Sequence, residues 1–82
     1  MDFRAVWNRV AELEGELFRT ARGDEFRYRF KKTFVVTDPA GQSIPRTNFE
    51  KIHRRRNGAE IPGAVQGQAF IEAVYDAPRF IS

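Results

Sequence analysis

The chain has 82 residues, a formal net charge of +3 and no cysteine, which indicates one small domain and excludes disulfides, a thiolate nucleophile and a cysteine-bound zinc site. No apolar run approaches the ~18 residues that cross a membrane, and a small domain without disulfides is more typical of the cytoplasm than of secreted proteins. Residues 19–56 hold eleven basic and four acidic residues, while the segments before and after them are each net acidic.

The first predicted element is an amphipathic helix over residues 2–14. Its apolar residues recur at the helical period and would line one buried face. They are Phe3, Val6, Trp7, Val10 and Leu13. Asp2 is a suitable N-cap for this helix, and Gly15 is a suitable residue to follow its C-terminus.

Three strands are predicted after the helix. Residues 16–21 are expected to form a short strand, and residues 22–24 then supply a turn. Residues 25–30 alternate between aromatic and basic side chains, which indicates a strand with one buried face. The aromatic residues are Phe26, Tyr28 and Phe30, and the basic residues between them are Arg27 and Arg29. Residues 33–37 are β-branched or aromatic and predict the next strand.

The turn between these last two strands has two possible registers. A two-residue turn at Lys31 and Lys32 would place Phe30 opposite Thr33, with Phe34 on the same face as the arginines. A three-residue loop would place Phe30 opposite Phe34 and separate apolar from basic residues better, although such a loop normally contains a glycine. We favour the three-residue loop or a bulge.

A turn, a short strand and a capped helix are predicted next. Residues 38–41 (Asp-Pro-Ala-Gly) are a strong turn signal, and residues 42–44 are expected to add a short fourth strand. Thr47, followed three residues later by Glu50, matches a capping box. The helix that it begins should extend to about Arg56.

The predicted fold class is α+β. Residues 58–66 read as a loop, and residues 67–77 as a last helix that Pro78 ends. An N-terminal helix, a three- to four-stranded antiparallel meander and two C-terminal helices on one sheet face would form a single domain over residues 1–82. The other sheet face would be partly open, as antiparallel sheets allow.

The basic middle segment favours a non-catalytic module that binds the phosphate backbone of DNA or RNA through a single central basic surface. The predicted contacts come from the second strand, its turn and the second helix. They are Arg27, Arg29, Lys31, Lys32, Arg46, Lys51, Arg54 and Arg55. Bases could also stack on Tyr28 if it faced solvent, but the alternation of the strand predicts that it is buried. Alternatively, the basic residues pair with the domain's own acidic residues or interact with the helix dipole.

The second hypothesis is a protein-interaction module, which would be an accessory protein, an inhibitor or a homodimer. The acidic flanks, an open sheet edge and the apolar pair Phe80 and Ile81 favour it. We expect no enzyme activity, because His53 is the only histidine and no nucleophile, acid–base pair or metal-ligand cluster has a recognisable spacing. No cofactor and no membrane partner are predicted.

Three stretches resemble small bacterial α+β proteins of unassigned function. They are residues 17–20 (Leu-Phe-Arg-Thr), 26–28 (Phe-Arg-Tyr) and 44–50 (Ile-Pro-Arg-Thr-Asn-Phe-Glu). Proteins of this kind occur as mobile integron gene-cassette products and beside restriction-type defence genes. The resemblance implies a bacterial, mobile-element context, in which the second hypothesis becomes an accessory or inhibitor module of a mobile element. It carries no catalytic residue to this chain.

Overall fold

A four-stranded antiparallel sheet, with its strands in chain order, packs one face against the helices. The computed structural model describes residues 2–81 and, for Ile81, only the backbone. The strands are β1 (Phe18–Arg19), β2 (Glu25–Phe30), β3 (Phe34–Asp38) and β4 (Ser43–Pro45), and the helices are α1 (Phe3–Glu12), α2 (Arg46–Arg56), α3 (Gln68–Asp76) and α4 (Pro78–Ile81). The predicted α+β architecture is confirmed. None of the helices described here is long and apolar enough to span a bilayer.

Helix α1 begins at the predicted cap. The Asp2 carboxylate accepts a hydrogen bond from the Ala5 N–H at 2.9 Å, which satisfies one of the N–H groups that a helix start leaves unpaired. The helix ends at Glu12, two residues before the predicted end, and Gly15 follows with a φ of +84°. Its buried side chains lie on the predicted apolar face.

The buried apolar side chains form one cluster between the helices and the sheet face that they cover, which we call the inner face. The strands contribute Phe18, Phe26, Tyr28, Val35 and Ile44, and the helices contribute Val6, Trp7, Val10, Phe49, Ile52, Ile71, Val74, Tyr75 and Phe80. Because strand residues alternate between faces, the residues between these positions lie on the opposite, outer face.

The β2–β3 turn differs from both predicted registers. Phe30 lies opposite Val35, whereas the two predictions placed Thr33 or Phe34 there. The chain reverses at Lys32 and Thr33, with Lys32 in the left-handed conformation at a φ of +69°. Non-glycine residues rarely adopt this conformation. A lysine at this position in the sequence therefore did not predict the turn. The favoured three-residue loop was therefore wrong.

Strand β4 continues directly into α2, so the predicted capping box does not form. The helix begins at Arg46, and Pro45 takes the N-cap position without a side-chain hydrogen bond. The Arg46 N–H instead donates to the Thr33 carbonyl at 2.9 Å. Because the β2–β3 turn supplies this acceptor, Thr47 lies inside the first turn of the helix rather than at its cap.

Helix α3 begins where Gly67 lies against the sheet. Gly67 has a φ of +78°, and a Cβ atom there would lie 2.6 Å from Cδ1 of Ile44. The helix ends at Asp76, before Pro78 as expected. Pro78 is itself the first residue of the one-turn helix α4, a position that proline favours because its missing N–H would be unpaired anyway.

Candidate nucleic-acid interface

The outer face carries a row of basic side chains along β2. Arg27 and Arg29 are exposed on this face, while Phe26 and Tyr28 between them are buried. The exposed Lys31 continues the same alternation. Consecutive basic residues of this row are therefore roughly 7 Å apart along the strand. The cations therefore have a regular spacing that the strand geometry fixes.

Three cations near the β2–β3 turn are exposed and lack an acidic partner. Within residues 2–81, the side chains of Arg29, Lys31 and Lys32 take part in no ion pair or hydrogen bond. Residues 26–37 contain four basic residues and no Asp or Glu. The positive charge at this end of the sheet is therefore directed at solvent rather than neutralised by neighbouring strand residues.

The other end of the basic row is more constrained. Arg27 Nη1 donates to the Gly15 carbonyl at 2.6 Å, and Arg27 lies opposite Asp38 on β3. At the turn end of β2, between Arg29 and Lys31, a Glu14 carboxylate oxygen accepts a hydrogen bond from the Phe30 N–H at 2.8 Å. The two hydrogen bonds cover the edge of β2 beyond its short pairing with β1, and the bond to Gly15 leaves Arg27 with less freedom to meet a ligand.

Two hydrogen bonds, one from α1 and one from α2, hold the β2–β3 turn in place. Trp7 Nε1 donates to the Lys32 carbonyl at 2.8 Å, and the Arg46 N–H donates to the Thr33 carbonyl. Arg46 is thereby brought beside the turn, where its guanidinium lies 5.3 Å from the centroid of the Phe3 ring. We call Arg29, Lys31, Lys32 and Arg46 the turn cluster.

The basic residues of α2 that follow Arg46 lie in the helical layer, on the opposite side of the sheet from the basic row. Helix α2 buries Phe49 and Ile52 in the core, and Lys51 and Arg54 are exposed on its surface. Arg55 points instead to the loop before α3, where its guanidinium donates to the carbonyls of Ile61 and Gly63. The eight predicted contact residues are therefore divided between two surfaces, and Arg55 has a structural role.

Phe34 is the aromatic side chain of the outer face, and the sequence analysis did not assign it to the site. It is half-buried and lies outside the core cluster. Its neighbours are Lys31, whose N–H donates to the Phe34 carbonyl at 2.8 Å, and Pro45 on β4. Together with the half-buried Val36 it forms an apolar stripe along β3, beside the basic row. The two-residue turn considered above would have placed Phe34 on this face.

Tyr28, considered for base stacking, is buried in the core as the alternation predicted. Its hydroxyl donates to the Val10 carbonyl at 2.6 Å. Burial raises the pKa of Tyr28 well above its usual value, and the charge of Glu14 raises it further. Tyr28 therefore links the sheet to α1 and cannot stack on a ligand.

A groove of about 570 Å³ lies between β1 and α3. The exposed Leu17 stands at its rim, and charged residues of both signs line it. Two of its arginines pair with acids, Arg79 with Glu16 at 3.7 Å and Arg19 with Glu25 at 2.8 Å. This groove is thus electrostatically mixed, unlike the turn cluster. Phe80, which the sequence analysis considered for partner contact, is buried in the core, and the side chain of Ile81 lies outside the described part.

His53 is half-buried between aromatic rings. Its centroid lies 5.7 Å from that of Phe3 and 6.2 Å from that of Tyr75, and the Asn57 amide contacts its Nε2 at 3.2 Å. Across residues 2–81, no three His, Cys, Asp or Glu side chains form a group that could hold a metal ion. His53 therefore packs as part of an aromatic cluster.

No family model matches the sequence, and no curated protein and no solved structure matches it either. The charge and geometry of the chain's own residues are therefore the basis for a functional proposal.

Proposed function

We propose that this protein is a non-catalytic module that binds the phosphate backbone of nucleic acid through its central basic residues. One observation supports this most strongly: Arg29, Lys31 and Lys32 are exposed within a few residues of each other without an acidic partner in the described chain. Releasing counterions from a polyanion favours binding to such a cluster, whatever the base sequence.

The eight predicted contact residues differ in exposure and in hydrogen bonding, and we expect them to contribute unequally to binding. The turn cluster is expected to carry most of the binding, because its members are exposed and close together. Lys51 and Arg54 would add long-range attraction from the helical layer. We expect little from Arg27 and Arg55, whose guanidinium groups already donate to backbone carbonyls.

The test is a salt titration of binding to mixed-sequence DNA and RNA oligonucleotides, measured by fluorescence anisotropy. The double variant Arg29→Gln with Lys31→Gln should reduce the slope of log K against log salt by about 1.4, since each single-strand phosphate contact contributes about 0.7. The control is Arg4→Gln with Arg22→Gln, which removes the same charge at exposed positions outside the turn cluster. Absence of binding at low salt, or an equal loss in the control, contradicts the proposal.

A second candidate function is self-association through the groove beside β1. Leu17 is 43% exposed and lines the groove. Strand β1 is at the edge of the sheet, a position at which a strand can pair with another chain. Sedimentation over a range of concentrations tests this candidate. A dimer that Leu17→Glu dissociates supports it, and a monomer at every concentration contradicts it.

A further inference from the structure

We propose that the outer face binds single-stranded nucleic acid, with a base stacked on Phe34 and the adjoining phosphates held by Arg29 and Lys31. This inference rests on the proposed function. It adds that the nucleic acid is single-stranded and that an aromatic ring contacts one of its bases.

Phe34 differs from the other phenylalanines because its ring has no aromatic neighbour among the described residues. The chain has eight, and each of the other seven contacts another aromatic ring. Within residues 2–81, the Phe34 ring has no aromatic or cation–π partner. It is also not part of the core cluster, so one side of the ring can contact a ligand without any rearrangement of the core.

The charges beside Phe34 match a polyanion. Lys31 is its partner across the β2–β3 turn, and Arg29 lies opposite Val36, the next outward residue of β3. Residues paired across a sheet have side chains roughly 5 Å apart. An aromatic ring on a strand whose cross-strand neighbours are cations provides both contacts that a nucleotide in a single strand needs, one for the base and one for the phosphate.

A duplex could use only half of this arrangement. Its bases are stacked on each other, so Phe34 could not contact a base face without unstacking the helix, which costs a few kcal/mol per step. The cations could still contact the duplex backbone. A preference for single strands is therefore the property that distinguishes base stacking on Phe34 from a purely electrostatic interaction.

The experiment compares Phe34→Leu and Phe34→Tyr in the full chain. Phe34→Leu should weaken binding to single-stranded oligonucleotides about 5- to 150-fold, the usual range for the loss of one stacked base. The salt slope should not change, because no charge is removed. Phe34→Tyr keeps an aromatic face and should retain affinity, and Leu17→Ala controls for loss of an exposed apolar side chain elsewhere. Thermal unfolding of each variant checks that it is folded.

Four probes separate the alternatives. Single-stranded DNA and RNA of one sequence show whether the sugar matters, a duplex of that sequence tests the strand state, and polyglutamate tests charge without bases. Tighter binding to the single strands, weakened by Phe34→Leu, supports the inference. Equal binding of duplex or polyglutamate, or no effect of Phe34→Leu while Arg29→Gln with Lys31→Gln still weakens binding, overturns base stacking and leaves the proposed function standing. No binding of any nucleic acid at low salt overturns both.

Discussion

Two tyrosines of the core differ in the environment of their hydroxyl groups. The Tyr28 hydroxyl donates to the Val10 carbonyl, whereas the buried Tyr75 hydroxyl has no hydrogen-bond partner among the described residues. The Tyr75 ring packs against Phe80, and the Arg56 guanidinium lies 4.8 Å from its centroid. Burial raises the pKa of Tyr75 from 10.0 to about 12, although the charge of Arg56 opposes this shift. The buried neutral hydroxyl is therefore expected to make the stability of the protein decrease at alkaline pH.

The sign of this dependence follows from the direction of the shift. Because the pKa of Tyr75 is higher in the folded protein, the unfolded chain loses its proton first as the pH rises. The contribution of the neutral Tyr75 hydroxyl to the free energy of unfolding is complete below pH 10 and decreases as the pH rises to about 12. Urea unfolding at pH 9, 10, 11 and about 12 should show a smaller decrease for Tyr75→Phe than for the natural chain. Parallel curves would show that Tyr75 titrates normally.

Tyr75→Phe should itself be neutral or slightly stabilising near pH 7, since it removes an unpaired buried hydroxyl.

Lys32 provides a second test at the scale of a residue. Its left-handed conformation places a Cβ atom where one is unfavourable, at a cost of about 1–2 kcal/mol. Lys32→Gly removes this cost but increases the entropy of the unfolded chain, so a net gain of about 0.5–1 kcal/mol over Lys32→Ala is expected. The alanine variant loses the same charge and keeps the Cβ atom. Equal unfolding free energies for the two variants would mean that the turn is unstrained.

At the scale of elements, the sequence predicted what strong periodicity determines. The helical spacing of the α1 residues and the alternation in β2 each follow from burial of one face, and both elements formed as expected. The β2–β3 register and the start of α2 depend instead on contacts between distant residues. The conformation of Lys32 and the hydrogen bond from Arg46 to Thr33 belong to this second class.

The packing of α3 on the sheet gives a prediction for Gly67. A side chain there would be strained by the positive φ and would also clash with Ile44. Gly67→Ala should therefore destabilise the protein by about 2–4 kcal/mol, the sum of a left-handed alanine and local overpacking. Gly41→Ala is the matched control, because Gly41 also has a positive φ but a Cβ atom there would meet nothing within 4 Å. Chemical denaturation of both variants measures the difference, and equal losses would show that Ile44 moves aside.

At the scale of the whole molecule, the sequence identified the basic residues but not the surfaces on which they lie. The alternation of β2 correctly placed Arg27 and Arg29 away from the core. It could not show that Arg55 binds the loop before α3 or that Phe34 joins the outer face. Each of these depends on the tertiary arrangement, which local sequence patterns do not contain.

The division into two surfaces can be tested by comparing paired charge removals. Lys51→Gln with Arg54→Gln removes two charges from the helical layer, and Arg29→Gln with Lys31→Gln removes two from the outer face. Charges more than about 8 Å from a ligand are largely screened at physiological salt. The α2 pair should therefore slow association at low salt but change the salt slope by less than half as much as the outer-face pair. Stopped-flow association rates and equilibrium salt titrations measure the two effects. Equal changes in slope would mean that the nucleic acid passes around the sheet edge and contacts both layers, in which case the turn cluster alone does not define the site.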